Sequence, residues 1–183
     1  MKTLAIMQPT FLPWLGYFAL IQRVDEFILL DNVQFDRRSY QQRNKLKTDI
    51  GPKWATIPVS VKGKRSQKIH EVEILFKKKV GDLSVISKMF RHSYRKGKYY
   101  YNYVENFENI FSNAPRFIAN LNELIIKNTC DFLNIKTPII LASQLQVSGS
   151  KDILLKNICL ERKANRYISP PGAMNYLEKS EEF

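Results

Sequence analysis

The sequence predicts an α/β fold, a mostly parallel sheet with flanking helices and a helical insertion, and three observations carry that prediction. The short apolar run Thr3-Leu-Ala-Ile-Met7 and the buried-strand pattern Glu26-Phe-Ile-Leu-Leu-Asp31 are what strands buried on both faces of a parallel sheet leave in sequence. Between them Leu15, Phe18, Ala19, Leu20 and Ile21 form a broad apolar helical stripe that ends at polar Gln22 and Arg23. Strand and helix patterns also alternate near the other end of the chain, so the class is set at both ends.

The first three elements predict a strand, helix and second strand joined as a parallel crossover, whose ligands bind at the carboxyl ends of the strands. Two polar loops fall there, Gln8 to Gly16 and Asp31-Asn-Val-Gln-Phe35. Pro9 and Pro13 fix their own φ and bias Gln8 and Leu12 toward extended backbone, which stiffens the first loop. Gly16 permits close approach to the backbone, and the helix start beyond it offers amide groups to a phosphate or carboxylate. A plain strand-to-helix turn with Trp14 in the core is the alternative for the same residues.

Beyond Asp31 the passage from Arg37 to Thr48 is too polar for a core, and the chain is expected to rejoin the sheet at Trp54-Ala-Thr-Ile-Pro-Val-Ser-Val61. Pro58 suggests an edge or a bulge there. A weaker strand pattern runs from Ile69 to Leu75 with Val72 and Ile74 inward, and Lys62-Gly-Lys-Arg-Ser-Gln67 between the two reads as a basic turn. From about residue 82 to 135 the period becomes helical, with Leu83, Ile86, Met89 and Phe90 on one stripe and Phe117, Ile118, Leu121, Leu124 and Ile125 on another. Ala114-Pro115 resembles a helix start, with Ser112 and Asn113 as caps. Pro138 to Ala142 predicts a short strand, Ser148 to Asp152 the start of a helix, Tyr167 to Ser169 a last strand, and Met174 a further helix. No repeat divides the chain, and residues 1–183 are expected to form a single domain.

At 183 residues, 44% of them hydrophobic, the chain can bury a substantial core. No run reaches the roughly eighteen apolar residues of a membrane span, and no secretory pattern opens the chain, so a cytoplasmic protein is expected. Cys130 and Cys159 stand in apolar helical patterns away from any CxxC pair or histidine, and are expected as buried free thiols. His70 and His92 lack partners at metal-ligand spacing, so the sequence names no metal set and identifies no cofactor.

Twenty-nine Lys and Arg against seventeen Asp and Glu give a net charge of +12, concentrated between residues 37 and 98. That field attracts phosphorylated ligands, nucleic acid or an anionic surface without choosing among them. Tyr94, Tyr99, Tyr100, Tyr101 and Tyr103 interleave with the later basic residues, either as a platform for single-stranded nucleic acid or as the core face of amphipathic helices.

Candidate chemistry collects at and after the strand ends. Asp31, a carboxylate beside apolar residues, is a candidate general base, and equally a cap for the following turn. Gln8 is its candidate catalytic companion. Pro9, Gly16, Tyr17 and Gln34 line the two loops as candidate substrate-binding residues. Arg43, Asn44 and Lys45 follow, with Arg43 and Lys45 suited to a diphosphate or else solvated surface charge. Ser148 and Lys151 mark a second phosphate seat at a helix start, and Ser169 and Gly172 end a strand on the same side of the sheet.

The combination of Gln8-Pro-Thr-Phe-Leu-Pro-Trp-Leu-Gly-Tyr-Phe18, Asp25, Asp31-Asn-Val-Gln-Phe35, Arg43-Asn-Lys45 and Trp54-Ala-Thr-Ile-Pro-Val59 closely resembles the WbqC-like family. The resemblance continues through Lys151-Asp-Ile-Leu-Leu155 and Tyr167-Ile-Ser-Pro-Pro-Gly-Ala173 to Tyr176-Leu177. It implies a role in bacterial O-antigen or related surface-polysaccharide biosynthesis, with transfer of an acyl or aminoacyl group to a nucleotide-linked amino sugar. The implied partners are a nucleotide-sugar or another phosphorylated small molecule, and tRNA if the donor is aminoacylated. Family members commonly continue beyond the Glu181-Glu-Phe183 at which this chain stops, so a shortened carboxyl end is expected. The first unit is also laid out like the HIGH-motif nucleotidyltransferases, but Trp14 and Tyr17 stand at the histidine positions. Neither can carry the positive charge that stabilises a transferring phosphate, which leaves nucleotide binding rather than adenylyl transfer. A basic nucleic-acid binding module is the alternative function.

Overall fold

The computed structural model describes residues 1–76 and 83–170. The chain folds into two compact units, and it changes unit after Pro9, Pro13, Asn32 and Asn128. Met1–Pro9, Trp14–Asn32 and the chain from Thr129 onward make the first unit, and Thr10–Pro13 with Val33–Asn128 make the second.

The first unit is an α/β layer. Strands β1 (Thr3–Met7) and β2 (Glu26–Leu29), joined by helix α1 (Leu15–Gln22), lie side by side and parallel, with Leu4 opposite Glu26 and Met7 opposite Leu29. Strand β5 (Ile139–Leu141) adds parallel to β2, and β6 (Arg166–Ile168) adds parallel to β1, giving the order β5-β2-β1-β6. All four residues of β2 are buried, apolar Phe27, Ile28 and Leu29 and also Glu26, as a position at the centre of a parallel sheet requires of the strand. On α1 the inward residues are Tyr17, Phe18 and Ile21, whereas Leu15 and Ala19 of the expected stripe face solvent. Helix α5 (Lys151–Glu161) buries Leu154, Leu155 and Ile158. At the amino end of β2 the buried Glu26 receives both Nε and Nη2 of Arg162, at 2.7 and 2.9 Å, and Lys2 Nζ at 3.1 Å. The paired arginine holds the Glu26 carboxyl below the ordinary glutamate range.

The second unit departs from the expected continuation of the sheet. The polar passage after Asp31 is itself a strand, β3 (Arg43–Thr48), which pairs antiparallel with β4 (Gly51–Thr56) in a separate two-stranded ribbon. The ribbon turns at Asp49-Ile50, and Gly51 closes the turn at φ 101°, a left-handed geometry that favours glycine. Beyond β4 the expected Ile69–Leu75 strand is a 3₁₀ turn over Ile69–Glu71 followed by isolated bridges, Val59 to Ile74 and Glu73 to Phe117. Val72 and Ile74 are nonetheless the buried positions.

Three helices follow, α2 (Ser84–Tyr94), α3 (Tyr100–Ser112) and α4 (Ile118–Phe132), as the change of period predicts. Ser112 and Asn113 finish α3 rather than cap α4, because the Asn113 amide bonds back to Asn109 O. Phe90 and Phe107 stack between α2 and α3 with centroids 4.0 Å apart, and Arg91 meets Glu108 through two bonds of 2.8 and 2.7 Å. The core of this unit runs from Leu46, Ala55 and Ile57 to Phe111, Ile118 and Leu121, and it includes Phe11 from the short Thr10–Pro13 segment. Phe11 has no exposed surface and meets Phe111 edge to face at 6.3 Å.

Candidate functional site

In the first unit the sheet register gathers several predicted residues at one edge. Met7 lies opposite Leu29, and Leu29 opposite Leu141, so two residues further along each chain come Pro9, Asp31 and Ser143. Ser169 follows β6, whose Ile168 is level with Ala5. This is the carboxyl edge of a parallel sheet, where side chains beyond the ladder are released from strand pairing. Asp31 turns in at once, its amide bonding to Leu29 O at 2.9 Å, and its carboxylate is fully buried. Asp31 Oδ1 accepts the Ser143 amide at 2.8 Å, and Oδ2 accepts the Ser143 hydroxyl at 2.6 Å. Ser143 itself is exposed, in the 3₁₀ turn Ala142–Gln144 that ends β5. The Asp31 carboxyl group therefore meets an exposed residue through the short bond from the Ser143 hydroxyl.

The loop after β1 carries the other residues of this edge. Gln8 is exposed, and its carbonyl accepts the hydroxyl of the fully buried Tyr17 at 3.1 Å. Burial first, and the neighbouring Cys130 second, push the Tyr17 hydroxyl well above the usual tyrosine value, so it acts as a neutral donor. Trp14 precedes α1 with no side-chain cap, its indole 56% exposed and set edge-on to Tyr17 with centroids 5.7 Å apart. A Cβ on Gly16 would lie 2.4 Å from Trp14 Nε1, so the close approach that Gly16 allows is that of the indole. At the start of α5, Gly149 sits at φ 129° and Lys151 at φ 53°. Ser148 O accepts Asn157 Nδ2 there at 2.8 Å. Asp152 lies in the first turn and already places a negative charge on that helix dipole. The Ser169 hydroxyl bonds to Pro170 O at 3.0 Å, and Gly172 lies outside the described residues.

The remaining predicted residues belong to the second unit. Asn44 Nδ2 donates to Phe11 O at 3.1 Å and to Leu12 O at 2.6 Å, while its Oδ1 accepts the Lys45 amide. Asn44 thus fastens the Thr10–Pro13 segment. Arg43 and Lys45 lie on the opposite face of β3 by the two-residue period. The Arg43 guanidinium is 4.3 Å, and Lys45 Nζ 5.2 Å, from the Trp54 ring centroid. Tyr40 adds a ring 6.2 Å from Trp54, and both aromatic residues keep substantial exposed surface. Gln34 bridges to Lys68, and its side chain bonds to Arg65 O across the basic turn.

Ser143, Tyr40 and Trp54 are the residues that sequence reasoning did not select as site candidates. A strand-end position after β5 was the available signal for Ser143. Burial pushes the Cys130 and Cys159 thiols each up to about 11, Cys130 with help from Asp131, so both are protonated at neutral pH. Among the described residues no cluster of His, Cys, Asp and Glu could hold a metal ion, and no helix is long and apolar enough to cross a membrane.

Comparison with known proteins places this geometry in a family. A sequence model of the WbqC-like protein family matches residues 8–183. Rv1507c, an uncharacterized protein of Mycobacterium tuberculosis, is 33% identical over 187 residues, which cover 98% of this chain and 77% of that protein. No solved structure matches.

Proposed function

The chain belongs to the WbqC-like protein family, and on that premise we propose that it acts in bacterial surface-polysaccharide biosynthesis, O-antigen included, in the cytoplasm. The proposed reaction moves an acyl or aminoacyl group onto the amine of a nucleotide-linked amino sugar. The observation that carries the reading is the buried Asp31 carboxylate, 2.6 Å from the hydroxyl of exposed Ser143 at the carboxyl edge of the sheet.

In this scheme the sugar amine attacks the donor carbonyl and a C–N bond forms. The amine proton passes to Ser143 Oγ as the Ser143 proton passes to Asp31, and the proton returns by the same route, from Asp31 to Ser143 Oγ and from Ser143 Oγ to the departing thiolate or alkoxide of the donor. Asp31 supplies the basicity, and Ser143 connects it to a substrate it cannot touch directly. The amides at the start of α1, which no side chain caps, are assigned to a phosphate of the nucleotide. Gln8 and Pro9 border the same edge, and the Tyr17 hydroxyl fixes the carbonyl of Gln8.

Calorimetric titration with UDP-glucosamine, followed by mass-spectrometric screening of acyl-CoA and aminoacyl-tRNA donors, tests the proposal. The full chain is expected to bind the nucleotide-sugar. Asp31→Asn and Ser143→Ala are each expected to lower turnover at least about 100-fold, within the range of general acid–base contributions, with little change in affinity. Absence of binding to UDP-glucosamine and to other UDP- and dTDP-linked amino sugars would sink the reading. Full turnover in a folded Asp31→Asn variant would remove Asp31 from it.

A further inference from the structure

We propose that the outer face of the β3–β4 ribbon, in the second unit, is a binding site for single-stranded RNA, with bases stacking on Trp54 and Tyr40. This goes beyond the transferase reading and stands on different residues. The register pairs Arg43 with Thr56, Lys45 with Trp54 and Lys47 with Pro52, so these six residues share one face of the ribbon. The other face is turned to the core through Leu46 and Ala55, which are 5% and 2% exposed. The outer face therefore carries three cations, one indole and no acid. Along β3 the cations recur at every second residue, about 6.6 Å apart at the usual strand rise. A repeated row of this kind suits an extended polyanion better than a single diphosphate.

Trp54 is held by the cations instead of being folded away. Arg43 and Lys45 both approach its ring, yet 42% of the residue stays exposed, and Tyr40 beside it is 58% exposed. The Arg43 Nε is buried and makes no hydrogen bond, so the guanidinium is placed by stacking and not by an acidic partner. Exposed aromatic rings supported by arginine and lysine form the combination that binds successive bases without strong sequence preference.

A second stretch of similar chemistry lies alongside. The Lys47 amide donates to the Tyr94 hydroxyl at 3.2 Å, which brings the end of α2 to β3. Arg95, Lys96 and Lys98 follow, all exposed, with Lys98 Nζ 5.0 Å from the centroid of Tyr99. Two basic and aromatic stretches separated by some fifty residues in sequence thus become one positive region, complementary to a phosphate backbone.

Fluorescence titration of the full chain with a 15-nucleotide oligouridylate at several salt concentrations tests the site. Binding is expected to weaken steeply with salt. Trp54→Ala is expected to lose about 5- to 100-fold in affinity, the range for removal of one stacking platform, with an unchanged melting temperature, while Trp54→Phe retains most of the affinity. Lys45→Gln with Lys47→Gln is expected to reduce the slope of log K against log salt by about 1.4, or about 0.7 per phosphate contact. The site is overturned if the oligonucleotide does not bind. It is also overturned if Trp54→Ala and Tyr40→Ala bind as wild type, or if inorganic polyphosphate of equal charge binds as tightly as the oligonucleotide, since stacking would then contribute nothing.

Discussion

The two units handle charge in opposite ways. In the first, each acid at the two ends of β2 is buried and closely held, Glu26 by Arg162 and Lys2, and Asp31 by both donors of Ser143. In the second, Arg43, Lys45 and Lys47 share a face with an exposed indole and no carboxylate. A charge buried and fixed in position can keep a defined proton affinity and direction, which suits bond-making chemistry. A row of half-exposed cations cannot do that, but it can follow a flexible polyanion. The contrast separates the proposed site of precise geometry from the proposed surface of tolerant recognition.

The largest expected effect bears on how the second unit is completed. Phe11→Ala removes a fully buried ring from its core and is expected to cost about 4 kcal/mol, read as a lowered denaturation midpoint. A change below about 1 kcal/mol would mean that the Thr10–Pro13 segment is not an integral part of that core.

Next comes the ion cluster at the amino end of β2. Glu26→Gln is expected to cost about 2 kcal/mol, less than a fully buried pair would, because Lys2 and Arg162 keep about a third of their side-chain surface exposed. The Glu26 carboxyl is held below its ordinary value of 4.5 in the folded state. Its contribution is therefore complete above that value and is lost as pH falls through the lower folded value. Acid titration of wild type should show this loss of stability below about pH 4.5, and Glu26→Gln should not show that part of it. Equal acid sensitivity in the two proteins would break the contrast drawn for the first unit.

Gly16→Ala should have the smallest effect. The new methyl group would collide with Trp14 Nε1, but the indole is exposed and can swing aside. Stability is expected to change by less than about 0.5 kcal/mol, while the Trp14 fluorescence shifts as its edge contact with Tyr17 is lost. A large destabilisation would mean that the indole is structural.

Much of the first unit was legible because its two central strands, β1 and β2, carry apolar runs, and a strand buried on both faces leaves that mark in sequence. Thr3–Met7, Glu26–Leu29, Ile139–Leu141 and Arg166–Ile168 all fall within or beside the predicted runs. The ribbon was not legible as one. Only Leu46 of β3 and Ala55 of β4 are buried, so neither strand shows the alternation that a half-buried sheet requires. The partnership of Asp31 with Ser143 spans 112 residues and leaves no local pattern. Position at a strand end singled out Asp31 as a candidate, whereas the register of β5 was needed to bring Ser143 beside it. Asn44 illustrates the reverse: it was singled out for a ligand, and its amide donates to the Phe11 and Leu12 carbonyls.

The four changes of unit along the chain bear on how this protein could be divided or exchanged. Residues 33–128 look like an insertion that recombination could move as a cassette, but the cassette would end inside α4 and would travel without Phe11. The excised segment would have a vacant place in its interior and no Leu12 carbonyl for Asn44 to fasten. A peptide spanning Thr10–Pro13 is the smallest piece that could restore it, so complementation in trans would measure how strongly a four-residue stretch completes the second unit.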